Sequence, residues 1–184
     1  LQERIEMNIL TANLLSHDKA LPFDMENDDQ ELLFNELKTA MIAGRGVGIS
    51  APQIGVNKRV FLLGHFQDPD NIVGVFNPEV LAADGDDVVM EEGCLSFPGL
   101  FVKVKRPSMI RVRYATQEGI TDAIKFDGMS ARIFLHEMDH LDGYVMTDRA
   151  NRYHMGVAKK NLKLLNRRRK REEAKARQEI RDAG

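Results

Sequence analysis

"MSARIFLHEMDHL" (residues 129–141) decides how the chain reads. Its apolar residues recur at helical spacing and Gly143 follows its end, so the spacing predicts a helix over 129–141. Residues four apart share a helix face, so His136 and His140 can aim their imidazoles at one point. Ile133, Phe134, Leu135 and Leu141 predict that the helix is largely buried. A buried polar group without a partner costs about 1–3 kcal/mol, and a shared metal ion would remove that cost. Glu137 beside the first histidine completes a His-Glu-x-x-His pattern, in which one helix carries two ligands and a base. The plainer alternative is a pair of hydrogen-bonded histidines on an ordinary helix.

A catalytic site of this kind needs a third protein ligand and one open position. The protease pattern that supplies a third histidine downstream would place it at 146, which is Met146. His17, His65 and His154 have no supporting context. Cys94, the single cysteine, lies in the turn-rich "EEGCLSFPG" (91–99). A lone cysteine is commonly a small buried hydrophobe. Gly93 before it allows a close backbone approach, and Glu91 and Glu92 are candidates to support a ligand from behind. A Cys–His–His set leaves one position for water, a catalytic arrangement.

The rest of the chain frames this helix. Residues 28–43 read as an amphipathic helix through Leu32, Leu33, Leu37, Ala40 and Met41, ending at Gly44. "RGVGISAPQIG" (45–55) reads as a loop. "RVFLLG", "IVGVFNPEVL", "DDVVME", "FVKVK", "MIRVRYA" and "TDAIKF" read as separate antiparallel strands. The expected fold class is α+β. Antiparallel sheets surround a central metal-binding helix, with an N-terminal helix and a long C-terminal helix. No linker is visible, so residues 1–184 read as a single catalytic domain, with a basic C-terminal helix at about 151–181.

"GVGISAPQIG" (46–55), "EGCLSFPG" (92–99) and "HEMDHLDG" (136–143), in this order, resemble the three motifs of peptide deformylases. The resemblance implies hydrolytic removal of the formyl group from N-formylmethionine on new polypeptides. It implies Cys94, His136 and His140 as ligands of one divalent metal, Fe(II) in the family, with Zn, Ni or Co as replacements. It further implies Glu137 as general base and acid, and Gln53 with the backbone N–H of Leu95 as oxyanion donors. Val47 and Gly48 would line the extended peptide, and Arg106 would pair with Glu92 behind the cysteine turn. Ser50 stands where the family usually has alanine, and Leu135 where it often has glutamine. Residues 1–27 lack the usual proline-rich opening.

Composition marks a soluble, globular chain. The chain is 43% hydrophobic and 29% charged, with no run long enough for an apolar membrane span. One cysteine fits a reducing compartment, and "LQERIEMNIL" has no secretory pattern. The expectation is a cytoplasmic monomer, or one in an organelle or phage-infected cytoplasm with the same translation system. Net charge is −2, unevenly spread. Residues 159–184 carry 11 Lys or Arg against 4 Asp or Glu, and the remainder 15 against 24. A basic tail on an acidic body suggests a polyanionic neighbour such as the ribosome. Two other functions fit parts of the pattern. One is a zinc peptidase, which leaves Cys94 unexplained; the other is a nucleic-acid-binding protein with a structural metal, which lacks a fourth ligand.

Overall fold

The computed structural model describes residues 9–121 and 123–182, and at Ile180 and Asp182 the backbone alone. The elements run α1 (Gln30–Gly44), β1 (Gly48–Ser50), β2 (Val60–His65), β3 (Asp68–Gly93), β4 (Phe101–Thr116), β5 (Gly119–Ile120), β6 (Ile124–Asp127), α2 (Gly128–Leu141), α3 (Met146–Arg149) and α4 (Arg152–Asp182). The strands form one antiparallel sheet in the order β1-β2-β3-β4-β5, with β6 also on β4. The architecture is α+β.

Helix α1 starts where Asp29 accepts the backbone N–H of Leu32 at 2.9 Å. Leu33, Leu37, Ala40 and Met41 turn inward, but Leu32 of the expected stripe is 56% exposed. Gly44 belongs to the helix, and Arg45 takes the left-handed capping conformation (φ 58°) instead. The glycine serves packing: a Cβ at 44 would stand 3.1 Å from Ile9 and Leu95.

Two sequence expectations change. The 45–55 stretch is not all loop: Gly48–Ser50 forms edge strand β1, and Ala51–Ile54 a short 3-10 helix. The four central strand runs merge into two long strands, β3 and β4. Local breakers suggest ends there, yet bulges absorb them. The register slips between Phe76 and Glu79, where Asn77 is left-handed (φ 48°), and between Asp84 and Asp87, where Gly85 has φ 76°. Pro107 is accommodated opposite Asp87 at the slip after Asp84.

Strand β2 is buried on both faces. Val60 and Leu62 pack with α1, whereas Phe61 meets Phe134 of α2 edge-on at 5.0 Å. This sandwich holds α2 against the sheet. A third apolar cluster, with Leu100, Val102, Val104, Met146 and Ala158, seats α3 and the start of α4. Beyond Leu162, the described side chains of α4 are exposed.

Candidate metal centre and active site

Helix α2 is buried on its polar side too. Arg132, His136, Glu137, Asp139 and His140 are all buried, so every one needs a partner. The sheet supplies them. Glu92, near the end of β3, lies across a ladder from β4, which carries Arg106. Arg106 Nε and Nη2 donate to the two Glu92 oxygens at 2.6 and 2.9 Å, and its Nη1 donates to Asp139 at 2.8 Å. Arg132 Nη1 donates to Glu92 at 2.9 Å, and Arg149 closes on Asp139 from outside at 2.6 Å. Burial opposes the Glu92 charge, but the Arg106 and His136 hydrogen bonds outweigh it and hold the carboxyl well below the usual range.

Glu92 Oε2 lies 3.0 Å from Nδ1 of His136, which leaves the other ring nitrogen for the cavity. Cys94 follows Glu92 after Gly93, where a Cβ would crowd the Phe101 ring at 2.7 Å. The chain then turns sharply: Phe97 N–H donates to Cys94 O, and Leu100 N–H to Phe97 O, both at 3.0 Å. Gly99 (φ 76°) after Pro98 suits the second turn. Cys94 Sγ thereby stands 3.3 Å from Nε2 of His140.

The Cys94 Sγ and the ring nitrogens of His136 and His140 all lie within 4.8 Å of one another, a group that could hold a metal ion. Ligands ~2.0–2.3 Å from one tetrahedral ion stand roughly 3.5 Å apart, so the set fits a single ion. Met146 packs in the core with Leu100, which removes the downstream third ligand of the peptidase alternative. The two imidazoles differ. Burial opposes protonation of His136, but the Cys94 and Glu92 contacts raise its pKa to about 10. Burial and the His136 charge depress His140 to about 3.

Glu137 faces the same space. A Cβ at Gly48 would stand 2.6 Å from Glu137 Oε1, and one at Gly46 would stand 2.9 Å from Leu95. The two glycines of the "GVG" run therefore make room for the carboxylate and for Leu95. Glu137 Oε2 is buried without a hydrogen-bond partner, and burial raises the carboxyl to about 7. A cavity of about 640 Å³ opens onto these groups, walled by Val47, Leu95, Phe97, Leu100, Phe101 and Ile133. Gln53 reaches it from the 3-10 helix, and its Nε2 donates to Cys94 Sγ at 3.4 Å.

The chain is similar to known proteins over most of its length. The sequence model of the family described as polypeptide deformylase matches residues 7–155. The chain belongs to the peptide deformylase family. It is 39% identical to the peptide deformylase of Thermotoga petrophila over 131 residues, 71% of this chain and 78% of that protein. It is 44% identical to that of Desulforudis audaxviator over 122 residues, 66% and 77% of the two chains. The crystal structure of a Synechococcus elongatus peptide deformylase in complex with actinonin superposes with a TM-score of 0.77 at 28% identity, covering 86% of this chain and 88% of that one. An Acinetobacter baumannii deformylase with Met-Ala-Ser bound gives a TM-score of 0.69 at 30% identity, covering 80% and 99%. Peptide deformylases are metal-dependent hydrolases that remove the formyl group from nascent peptides, and this chain is such an enzyme.

All ten residues singled out from sequence lie in or directly behind the cavity. Sequence reasoning missed Arg132, Asp139 and Arg149, which complete the ion network, and Ser50 and Ser96, which hold Gln53. The available signal was the placement of Arg132 and Asp139 inside a helix whose apolar residues already marked it as buried.

Proposed function

We propose that Cys94, His136 and His140 hold one divalent ion, Fe(II) in the cell, and that the enzyme deformylates N-formylmethionyl peptides with Glu137 as the proton carrier. The observation carrying this is the partnerless buried oxygen of Glu137 beside a three-ligand cluster. A thiolate with two imidazoles suits Fe(II) or Zn, and the family resemblance favours iron. When bound, the ion acts as a Lewis acid and lowers the pKa of a water towards 7.

The chain's own residues do the rest. Glu137 Oε2 takes the proton of the attacking water and passes it to the leaving amine as the C–N bond of the formamide breaks. A carboxyl near 7 is matched to both halves of that transfer. Gln53 Nε2 and the Leu95 N–H donate to the developing oxyanion, each worth ~2.7–4 kcal/mol in comparable sites. Glu92 and Arg106 hold the His136 ring and the cysteine turn. Strand β1 pairs with β2 along one edge, and the peptide lies along its other edge beside Val47 and Gly48 as an added strand. The Met-Ala-Ser tripeptide bound to the Acinetobacter baumannii relative supports a short peptide as the kind of ligand.

The setting follows from the substrate. Formylated chains arise at ribosomes, so we place the enzyme in the cytoplasm as a monomer, with α4 docking to ribosomal RNA. Lys159, Lys160, Lys163, Arg167 and Lys170 are exposed along α4. No described helix is long and apolar enough to cross a membrane. Formate release from formyl-Met-Ala-Ser by anaerobically purified protein, alongside metal analysis, tests the reading. Turnover should track iron content and vanish with chelation; turnover indifferent to metal would overturn it.

A further inference from the structure

The Gln53 side chain is 1% exposed, and both ends of its amide are held by serines. Its Oε1 accepts the Ser50 backbone N–H at 2.9 Å and the Ser50 hydroxyl at 3.0 Å. Its Nε2 donates to Ser96 Oγ at 3.1 Å and faces Cys94 Sγ at 3.4 Å. Both serines are buried. The backbone N–H can only donate, so the amide atom facing it must be oxygen, which fixes the amide's orientation.

We propose that Ser96 and Ser50 are positioning residues that clamp Gln53, so that one Nε2 proton is taken by Ser96 and the other points at the reacting centre. This rests on the reading of Gln53 as an oxyanion donor. An amide has two N–H bonds diverging by about 120°. With one fixed on Ser96, the other is aimed towards Cys94 Sγ and the reacting centre beside it, where a developing oxyanion would compete for it. Without the clamp, a glutamine with three rotatable bonds would wander within its pocket, and such loss of aim is costly where a 1 Å displacement can lose about 100-fold in rate. The backbone repeats the tie. Leu10 N–H donates to Gln53 O at 2.8 Å, and Ala12 N–H to Ser96 O at 3.0 Å. One short strap thus joins the same two residues that the side chains join.

The test is a double-mutant cycle on metal-loaded enzyme, with metal content measured in each sample. Gln53→Ala should lower kcat about 100-fold. Ser96→Ala should lower it about 10-fold with KM within about twofold. In the Gln53→Ala background, Ser96→Ala should have no further effect. An equal Ser96→Ala loss in both backgrounds would show that Ser96 acts independently of Gln53, overturning the proposal. Full activity of Ser96→Ala beside a crippled Gln53→Ala would overturn it as well. Full activity of Gln53→Ala would instead remove the oxyanion role itself, and the clamp with it. Independently of turnover, the Gln53 side-chain amide NMR signals should move in Ser96→Ala; unmoved signals refute the clamp.

Discussion

Glu92 and His136 are joined at 3.0 Å, on the face of the imidazole turned away from the cavity. The same carboxylate receives two guanidinium groups, so one buried side chain orients the His136 imidazole and pairs with both Arg106 and Arg132, while Asp139 supplies the second negative charge. Glu92→Gln should lower metal affinity about 10–100-fold and cost about 3–5 kcal/mol at neutral pH. The folded pKa is depressed, so this stabilisation is present above the ordinary value of 4.5 and is lost as pH falls. The variant's deficit should therefore shrink in acid. Denaturation at two pH values with chelator competition checks this; equal deficits at both would contradict it.

Glu137 is expected to trade stability for activity. Its folded pKa of about 7 lies above the ordinary 4.5, so burying its charge becomes costly as pH rises from 4.5 through 7. Metal-free Glu137→Gln should be more stable than the parent by roughly 3 kcal/mol at pH 8, with little difference near pH 5. The metal-loaded variant should keep its ion and lose deformylation. Near-normal turnover would rule out the proton-carrier role.

Gly48→Ala tests why the first motif needs its second glycine. The new Cβ would press on Glu137 Oε1 and on Ile133, 2.9 Å away. Displacement of the carboxylate should cut kcat about 100-fold while metal content is retained. Unchanged kcat with raised KM would assign Gly48 to peptide binding alone.

Helix α4 divides at about Leu165. Leu162 and Leu165 come within 3.3 and 3.4 Å of a Cβ built at Gly99, so the start of the helix braces the turn after Cys94. Truncation after residue 165 should spare short formyl peptides and weaken cosedimentation with ribosomes, most visibly at low salt. Ending the chain before Leu162 should lower kcat as well. Equal ribosome binding by the full and 165-residue chains would leave α4 a solvated helix; Arg168–Glu172 and Arg169–Glu173 pairs already neutralise part of its charge.

Local sequence determined the parts whose physics is local. Spacing of four placed His136 and His140 on one face, acids and a cap began α1, and alternation marked the strands. The deformylase motifs pointed to Cys94, His136 and His140, because each motif gathers its reactive residue types within a few positions. Tertiary structure decided what depends on distant neighbours. Whether Gly85 and Pro107 end a strand is settled by the partner strand, whose slipped register absorbs both. The use of Gly46 and Gly48 became visible only once Leu95 and Glu137 were brought against them. Arg132, Asp139, Arg149, Ser50 and Ser96 look like ordinary polar residues in one dimension. Burial makes them necessary, since charges and amides removed from water must find partners, and those partners come from distant parts of the chain.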